Sequence, residues 1–166
     1  MITVMGATGN VGRPLVRALA EAGEQVTAVS RQKTADVPNG VRVVPDVKSA
    51  LDGASALFLM VPGGFAPLDD VLSAALTAGV GRVVLLSSQG VATSRHPTVL
   101  EDSVRASGLK WTMLRPGAFA SNAFQWAESV RTARKVVAPF GDVALPVIDP
   151  EDIAAVAASA LLSDRS

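Results

Sequence analysis

The chain has 166 residues, enough for one domain with a hydrophobic core. Hydrophobic residues make up 49% and charged residues 18% of it, the balance of a globular protein. The formal net charge is +0 and no run of Lys or Arg occurs, which argues against direct binding of DNA or RNA. The absence of cysteine excludes disulfides and thiolate metal sites and fits a reducing cytoplasm. We expect no membrane segment, because no apolar run is long enough, and no signal peptide, because the first residues already carry a motif.

Short β-branched runs alternate with longer Ala- and Leu-rich stretches, which is typical of a parallel sheet covered by helices. Strands are predicted at Ile2–Met5, Gln25–Ser30, Val41–Val44, Ala56–Val61, Arg82–Ser87 and Lys110–Leu114, with a shorter one at Val143–Val147. Helices are predicted over Val11–Gly23, Pro67–Gly79, Pro97–Gly108 and Ala118–Arg134, and from Asp149 onwards. The last of these starts with an Asp N-cap followed by Pro150 in the first turn.

The segment Gly6-Ala7-Thr8-Gly9-Asn10-Val11-Gly12 lies between the first strand and the first helix. Gly6 permits a tight turn, Gly9 lets the backbone approach a pyrophosphate, and Gly12 lets the helix pack closely on the strand. The helix N-terminus then offers N–H groups and a partial positive charge to phosphates. The pattern predicts a dinucleotide site of the Rossmann type; the alternative is an ordinary strand-to-helix turn.

The end of the second strand indicates which dinucleotide binds. NAD sites usually carry an acid there, whereas an Arg accommodates the 2′-phosphate of NADP. This strand ends in Ser30-Arg31, with Lys33 close by and no acid in that place, and Arg13 offers a second cation. NADP(H) is therefore the predicted cofactor; the alternative is that Arg31 is a solvated loop charge.

Motifs along nearly the whole chain resemble those of the NmrA-like group of atypical short-chain dehydrogenases/reductases. They are GATGNVG, the Ser-Arg after strand two, Asp46 in PDV, LLSSQGV, SGLKWTMLRPG and DPEDIAAVAASAL. The expected fold is a single-domain Rossmann-like α/β protein, a doubly wound parallel sheet with strand order 3-2-1-4-5-6. The domain would span residues 1–166, with minimal substrate-binding elements at about 118–147.

The resemblance also implies roles by position. The phosphates would be held by Gly6, Thr8, Gly9, Asn10, Val11 and Gly12, and the 2′-phosphate by Arg31. Asp46 and Val47 would flank the adenine. The path of the ribose and nicotinamide would be lined by Met60, Val61 and Pro62. The catalytic end of strand five would carry Ser87, Ser88 and Gln89, and beside the nicotinamide would lie Arg115, Pro116 and Gly117. Phe119 and Asn122 would border the substrate pocket, with Gln89 as a further substrate contact.

Two departures from the family stand out in the sequence. Between Asp46 and Ala54 the usual helix is cut to a few residues, so the adenine side would be more open. The C-terminal portion that relatives use as a substrate lid is largely missing. A homodimer in which a second subunit completes the pocket is one way to compensate.

Many relatives use a Tyr-x-x-x-Lys pair for acid–base work, but this chain contains no Tyr. The helix from Pro97 has no Lys, and Glu101-Asp102 stands where that Lys would fall. The remaining catalytic candidates are Ser88, as a donor to a developing oxyanion, and His96, as a general acid. Their structural alternatives are strand-end capping and a surface loop histidine. Glu101 either bonds the Arg115 segment or faces solvent.

The aromatic residues Phe65, Phe119, Phe124 and Trp126 form either a pocket for a flat apolar substrate or core packing. Trp111, in strand six, is expected in the core. No His or carboxylate cluster has metal spacing, so no metal is proposed, and no GxSxG elbow occurs, which argues against a hydrolase.

The sequence thus favours an NADPH-dependent oxidoreductase that reduces a small, electron-poor, apolar molecule, such as a quinone or enone, by direct hydride transfer. The alternative from another class is a non-catalytic NADP(H) sensor that binds a protein partner. A non-redox isomerisation on the same fold is a third possibility, which the intact glycine loop disfavours.

Overall fold

A parallel sheet of six strands forms the centre of the protein. The structure is a computed structural model, and it describes residues 1–31, 36–61, 67–139 and 141–163. The strands are β1 (Ile2–Met5), β2 (Val26–Val29), β3 (Arg42–Val44), β4 (Ala56–Leu59), β5 (Arg82–Leu86) and β6 (Lys110–Leu114). Their order across the sheet is β3-β2-β1-β4-β5-β6, which confirms the predicted order and the doubly wound α/β class.

Six helices and a small second sheet complete the described fold. The helices are α1 (Gly12–Glu21), α2 (Asp69–Thr77), α3 (Gln89–Ala92), α4 (Val99–Ala106), α5 (Ala127–Ala133) and α6 (Pro150–Leu162). Two 3₁₀ segments cover Lys48–Ala50 and Ala120–Trp126. The second sheet consists of two short parallel strands, β7 (Ala118–Phe119) and β8 (Val147–Ile148).

Side chains alternate between the two faces of the sheet and feed two hydrophobic clusters. In β4, Phe58 points to the cluster under α1 and α6, while Leu57 and Leu59 point to the cluster under α2 and α4. All three side chains are fully buried. Burial on both faces leaves the strand ends and their loops as the surface on which a site can form.

The N-termini of α1 and α6 differ in how they are capped. Asp149 caps α6, since its Oδ1 accepts the N–H of Glu151 at 2.9 Å, and Pro150 occupies the first turn as predicted. Among the described side chains, none caps α1, whose N-terminal residue follows the glycine loop directly. The N–H groups at that end of α1 therefore face the glycine loop and the space beside the loop.

The region between β6 and α6 differs from its prediction. The helix predicted over Ala118–Arg134 is replaced by β7, a 3₁₀ segment and the short α5. The strand predicted at Val143–Val147 shrinks to β8, and Val143 itself is exposed and outside any strand. The shortened connection after Asp46 is present as the single 3₁₀ turn Lys48–Ala50.

The expectation that Trp111 lies in the core is wrong. β6 is the edge strand of the sheet, so a side chain on it lacks a neighbouring strand on one side, and Trp111 stays 47% exposed. Its ring lies 6.0 Å from the guanidinium carbon of Arg105. Among the described residues, no helix combines the length and the apolar character needed to cross a bilayer.

Candidate functional site

The glycine loop after β1 is built on close backbone contacts. Gly6 has a φ of 73°, and its carbonyl accepts the N–H of Gly9 at 3.0 Å. A Cβ placed on Gly12 would lie 2.1 Å from that same carbonyl oxygen. Because no side chain fits there, helix α1 approaches β1 at a distance that only glycine allows.

The loop is also tied to the segment that follows β7. Asn10 donates from Nδ2 to the hydroxyl of Ser121 at 3.2 Å, and Arg13 donates to the Thr8 carbonyl at 3.4 Å. The Asn10 side chain thus joins the predicted phosphate loop to the predicted substrate segment. Val11 and Gly12 are buried.

A cleft of about 580 Å³ opens beside the glycine loop at the carboxyl ends of β1, β2 and β3. The dinucleotide of a Rossmann fold is expected at these carboxyl ends, near the point where the strand order reverses. The cleft is lined by Met5, Gly6, Thr8, Gly9, Val29, Ser30, Arg31, Pro45, Asp46, Val47 and Met60. Seven residues of the predicted cofactor set therefore share one cleft: Gly6, Thr8, Gly9, Arg31, Asp46, Val47 and Met60.

Opposite charges line the far side of this cleft. Arg31 is exposed immediately after β2, whereas Asp46 lies after β3. The Asp46 carboxylate accepts the hydroxyl of Ser49 at 2.6 Å and its N–H at 2.9 Å. These hydrogen bonds, that of the hydroxyl first, lower the pKa of Asp46. Asp46 is thus held in place beside the 3₁₀ turn by Ser49. Lys33, the other cation predicted near Arg31, lies outside the described residues.

The loops after β5 and β6 are joined to each other by backbone hydrogen bonds. The N–H of Ser87 donates to the carbonyl of Leu114 at 2.8 Å, and the N–H of Gln89 donates to the carbonyl of Pro116 at 2.9 Å. A Cβ on Gly117 would lie 3.2 Å from the Gln89 side-chain oxygen. The predicted residues Ser87, Gln89 and Pro116 therefore lie together at the carboxyl edge of the sheet.

Ser88 and His96, the two predicted catalytic residues, are in contact. Ser88 Oγ accepts the N–H of Gly90 at 3.0 Å and lies 3.1 Å from Nδ1 of His96. The imidazole packs so closely on Gly90 that a Cβ there would lie 2.3 Å from Nδ1. Ser88 also caps the short helix α3, so the same side chain is both a helix cap and the partner of His96.

Glu101 is fully buried and collects charged partners from two elements. Its Oε1 accepts the Ser87 hydroxyl at 2.6 Å and Nε of Arg115 at 2.8 Å. Its Oε2 accepts one nitrogen of Arg115 at 2.5 Å and one of Arg105 at 2.7 Å. The bonds from Arg115 outweigh burial and lower the pKa of Glu101 to about 2, and the same pair raises the pKa of Arg115. Of the two alternatives for Glu101, the bond to the Arg115 segment is correct.

The remaining predicted residues are spread more widely. Phe119 is partly buried against the cluster under α1 and α6, and Val61 packs against the opposite cluster. Asn122 is exposed in the second 3₁₀ segment. Phe124 and Trp126 are exposed at 79% and 43%, so core packing is wrong for both. Pro62 and Phe65 lie outside the described residues.

Sequence reasoning missed three parts of this arrangement. The sequence alone does not decide whether Glu101 bonds the Arg115 segment or faces solvent. Its position three residues before the buried Val104, and so on the inner face of α4, is the signal for the first environment. Gly90 does not have a positive φ, so its backbone conformation does not require glycine. The reason for a glycine at this position is the close packing of the His96 imidazole. Ser121 pairs with Asn10 across 111 residues, and nothing in the sequence signals such a distant bond.

A family model described as NAD(P)H-binding matches residues 6–164. The chain belongs to this NAD(P)H-binding family. The match begins at the first glycine of the loop and covers the elements that build the cleft, apart from β1. It confirms the resemblance to atypical short-chain dehydrogenases/reductases.

Two curated relatives of this NAD(P)H-binding chain carry names of reductases. A (4-alkanoyl-5-oxo-2,5-dihydrofuran-3-yl)methyl phosphate reductase from Streptomyces griseus is 39% identical over 177 residues, covering 97% of this chain and 63% of that protein. An NAD(P)H azoreductase from Xenophilus azovorans is 29% identical over 180 residues, covering 97% and 63%. The chain thus spans about three fifths of the length of these relatives.

Solved structures share the fold at low sequence identity. UDP-glucose 4-epimerase from Thermotoga maritima, solved with UDP-glucose, superposes with a TM-score of 0.73 at 17% identity, covering 99% of this chain and 73% of that one. The Bordetella bronchiseptica enzyme WbmG, solved with NAD, gives a TM-score of 0.75 at 16% identity, with coverage of 99% and 69%. At such identities the likeness speaks for the fold alone.

The residues of the cleft fit a nicotinamide dinucleotide. A Cβ on Gly12 would lie only 2.1 Å from the Gly6 carbonyl, so this glycine is required for α1 to approach the loop, and α1 has no side-chain cap among the described residues. Phosphates beside the loop would meet the positive end of α1. The adenosine half would extend past Arg31 and Asp46, and the nicotinamide half towards β5 and β6.

Proposed function

We propose that this chain binds NADP(H) and reduces a small, electron-poor, conjugated molecule. The observation that carries the proposal is the pairing of a dinucleotide cleft with the Ser88–His96 contact of 3.1 Å at the same edge of the sheet. The absence of Tyr from the whole sequence rules out the Tyr-dependent proton donor of many relatives. The substrate must therefore accept hydride without strong acid catalysis.

The preference for NADP(H) over NAD(H) rests on Arg31. Its position after β2 and on the wall of the cleft suits a 2′-phosphate, and no acid occupies Val29-Ser30-Arg31. A guanidinium binds a phosphate through charge-assisted hydrogen bonds, which are stronger than neutral ones. Asp46 also lines the cleft, and its carboxylate is already engaged by Ser49.

The names of the two relatives support the substrate class. A 5-oxo-2,5-dihydrofuran with an alkanoyl group has a carbon–carbon double bond conjugated with carbonyl groups, and an azo compound has a conjugated nitrogen–nitrogen double bond. Both acceptors spread negative charge after they receive hydride. A catalyst for them needs orientation and a modest proton donor, which is what the described part of this site offers.

When bound, NADPH would supply the hydride and become NADP+, and the chain would supply the accompanying proton. Ser88 Oγ already accepts the N–H of Gly90. With a proton on Nδ1 of His96, Ser88 accepts a second hydrogen bond and its own O–H is free to donate to a substrate oxygen or nitrogen. The hydroxyl proton that passes to the product is then replaced from Nδ1. His96 is exposed, so solvent reaches its imidazole.

The substrate is proposed to lie between the Ser88 loop and the residues from about 118 to 147. This segment contains Phe119, Asn122 and the exposed side chains of Phe124 and Trp126. Flat aromatic side chains suit a planar conjugated molecule. The bond from Asn10 to Ser121 ties this segment to the glycine loop, so cofactor and substrate would bind next to each other.

The proposal is tested by titrating the purified protein with NADPH and NADH, followed by an acceptor screen. Binding is read by energy transfer from Trp to the nicotinamide, and turnover by loss of NADPH absorbance with unsaturated lactones, enones, quinones and azo dyes. We expect tight NADPH binding and turnover of at least one conjugated acceptor. Absence of binding of either cofactor would overturn the whole proposal.

Variants separate the proton donor from the cofactor site. Ser88→Ala and His96→Asn should each lower kcat by about 100-fold, within the usual contribution of general acid catalysis, and leave the Kd for NADPH unchanged. Arg95→Gln, beside His96 on the same loop, is the matched control and should keep kcat. Tight NADPH binding without turnover of any acceptor would instead favour an NADP(H) sensor.

A further inference from the structure

The buried carboxylate of Glu101 is the strongest polar feature outside the described cleft. All four of its hydrogen bonds come from Ser87, Arg105 and Arg115, and its side chain has no exposed surface. An ionised carboxylate has about four acceptor positions, so this one is saturated. Such a group costs desolvation on folding, and a purely apolar residue would fill the same space without that cost.

Two of the three partners of Glu101 lie at the ends of neighbouring strands. Ser87 follows β5 and Arg115 follows β6, so Glu101 joins both loops to the first turn of α4. Arg115 is held in a two-point contact, which fixes the direction of its guanidinium as well as its distance. The next residues are Ser88, the proposed proton donor, and Pro116, which the family resemblance places beside the nicotinamide.

The bond to Glu101 also determines what Ser87 can do. A hydroxyl has one proton to donate, and the proton of Ser87 is committed to Oε1 of Glu101. Ser87 is only partly buried, and towards the site it can act only as an acceptor. A ribose hydroxyl or a carboxamide N–H suits such an acceptor, and both belong to the nicotinamide half of a dinucleotide.

We propose that Glu101 is a positioning residue that fixes the Ser87 hydroxyl as a hydrogen-bond acceptor for the nicotinamide half of NADP(H). The inference rests on the proposed function in that it needs NADP(H) to bind. It goes beyond the proposed function because Glu101, which does not touch the cofactor, determines how the nicotinamide half is recognised. A merely structural Glu101 would affect both halves of the cofactor alike.

The test compares NADPH with adenosine 2′,5′-bisphosphate, which keeps the 2′-phosphate of the adenosine half and lacks the whole nicotinamide half, both ribose and ring. Calorimetric titration at about pH 7, well below the unfolding temperature, gives Kd for both ligands in the wild type, Glu101→Gln and Ser87→Ala. We expect both variants to weaken NADPH by about 10-fold, as one lost hydrogen bond does, and adenosine 2′,5′-bisphosphate by less than about 2-fold. Asp102→Asn, the neighbouring acid on the same helix, should change neither Kd.

Other outcomes overturn the inference in distinguishable ways. Equal weakening of both ligands by Glu101→Gln would mean that Glu101 acts through stability alone. An unchanged NADPH Kd in Ser87→Ala would refute the proposal that Glu101 acts through the Ser87 hydroxyl. Because Ser87→Ala is a small change, this measurement decides the question even if Glu101→Gln does not fold. A wild type that binds neither ligand would refute the proposed function before Glu101 is tested.

Discussion

Replacement of Glu101 by Gln should destabilise the protein by an amount that depends on pH. The pKa of Glu101 falls from 4.5 to about 2 on folding, with the bonds from Arg115 as the largest cause. At about 1.4 kcal/mol for each pH unit between the two values, ionised Glu101 contributes about 3 kcal/mol near pH 7. Glu101→Gln keeps the shape of the side chain but removes the charge. It also turns one acceptor into a donor that faces an arginine.

The sign of the pH dependence follows from the lowered pKa. A carboxyl that holds its proton less tightly in the folded state stabilises that state fully above pH 4.5, and the stabilisation is lost as the pH falls from 4.5 towards about 2. The difference in unfolding free energy between wild type and Glu101→Gln should therefore be about 3 kcal/mol near pH 7 and shrink steadily below pH 4.5. Subtracting the variant cancels the titration of all other carboxyl groups.

The assay is urea unfolding followed by Trp fluorescence across this pH range. Asp102→Asn is the matched control, since its side chain is 60% exposed and its ion pair with Arg105 lies at the surface. That variant should lose less than about 1 kcal/mol. Equal losses in the two variants, or a Glu101→Gln difference that stays constant from neutral pH to about pH 3, would refute the reasoning.

Four further predictions concern the cleft, the glycine loop and the last helix. Arg31→Ala should weaken NADPH by about 10- to 100-fold, because one charge-assisted bond is lost, and NADH by less than about 2-fold; equal losses in calorimetry would argue against the 2′-phosphate role. Gly9→Val should stay folded by circular dichroism but bind neither cofactor. Gly12→Ala, by contrast, should lose about 2 kcal/mol or more of unfolding free energy, because its Cβ meets the Gly6 carbonyl at 2.1 Å. Gly141→Ala, with open space around it, is the control and should be nearly neutral. Asp149→Ala should cost about 1 kcal/mol through loss of the cap on Glu151, and an unchanged melting temperature would contradict this.

Local signals predicted the framework well. The bounds of β1 and β6 are those expected from the sequence, and the order of all six central strands is confirmed. Buried parallel strands are short, apolar and β-branched, and glycines mark the ends of the intervening helices, so each element declares itself within a few residues. The glycine loop is equally local, since its three glycines and the following helix form one continuous segment.

Features that depend on distant neighbours were not predicted. Trp111 is apolar and lies in a strand, and only its place at the edge of the sheet leaves it exposed. The segment from Ala118 to Arg134 has helical composition, yet its first residues pair with β8 about thirty residues later. Tertiary pairing outweighs local preference at such places.

The contrast between Glu101 and Asp102 shows why a charged site is harder to predict than a glycine loop. The two acids are adjacent on one helix and have the same chemistry, yet one is fully buried and the other is 60% exposed. Burial of Glu101 is tolerable because four hydrogen bonds compensate it, and two of them come from Arg115, fourteen residues later and on another element. The same pairing fixes the loops after β5 and β6, so the environment of Glu101 and the geometry of the proposed nicotinamide site have a single physical cause. A sequence shows that Glu101 and Arg115 are charged but not how far apart they lie. That distance decides both the environment of Glu101 and the geometry of the proposed site.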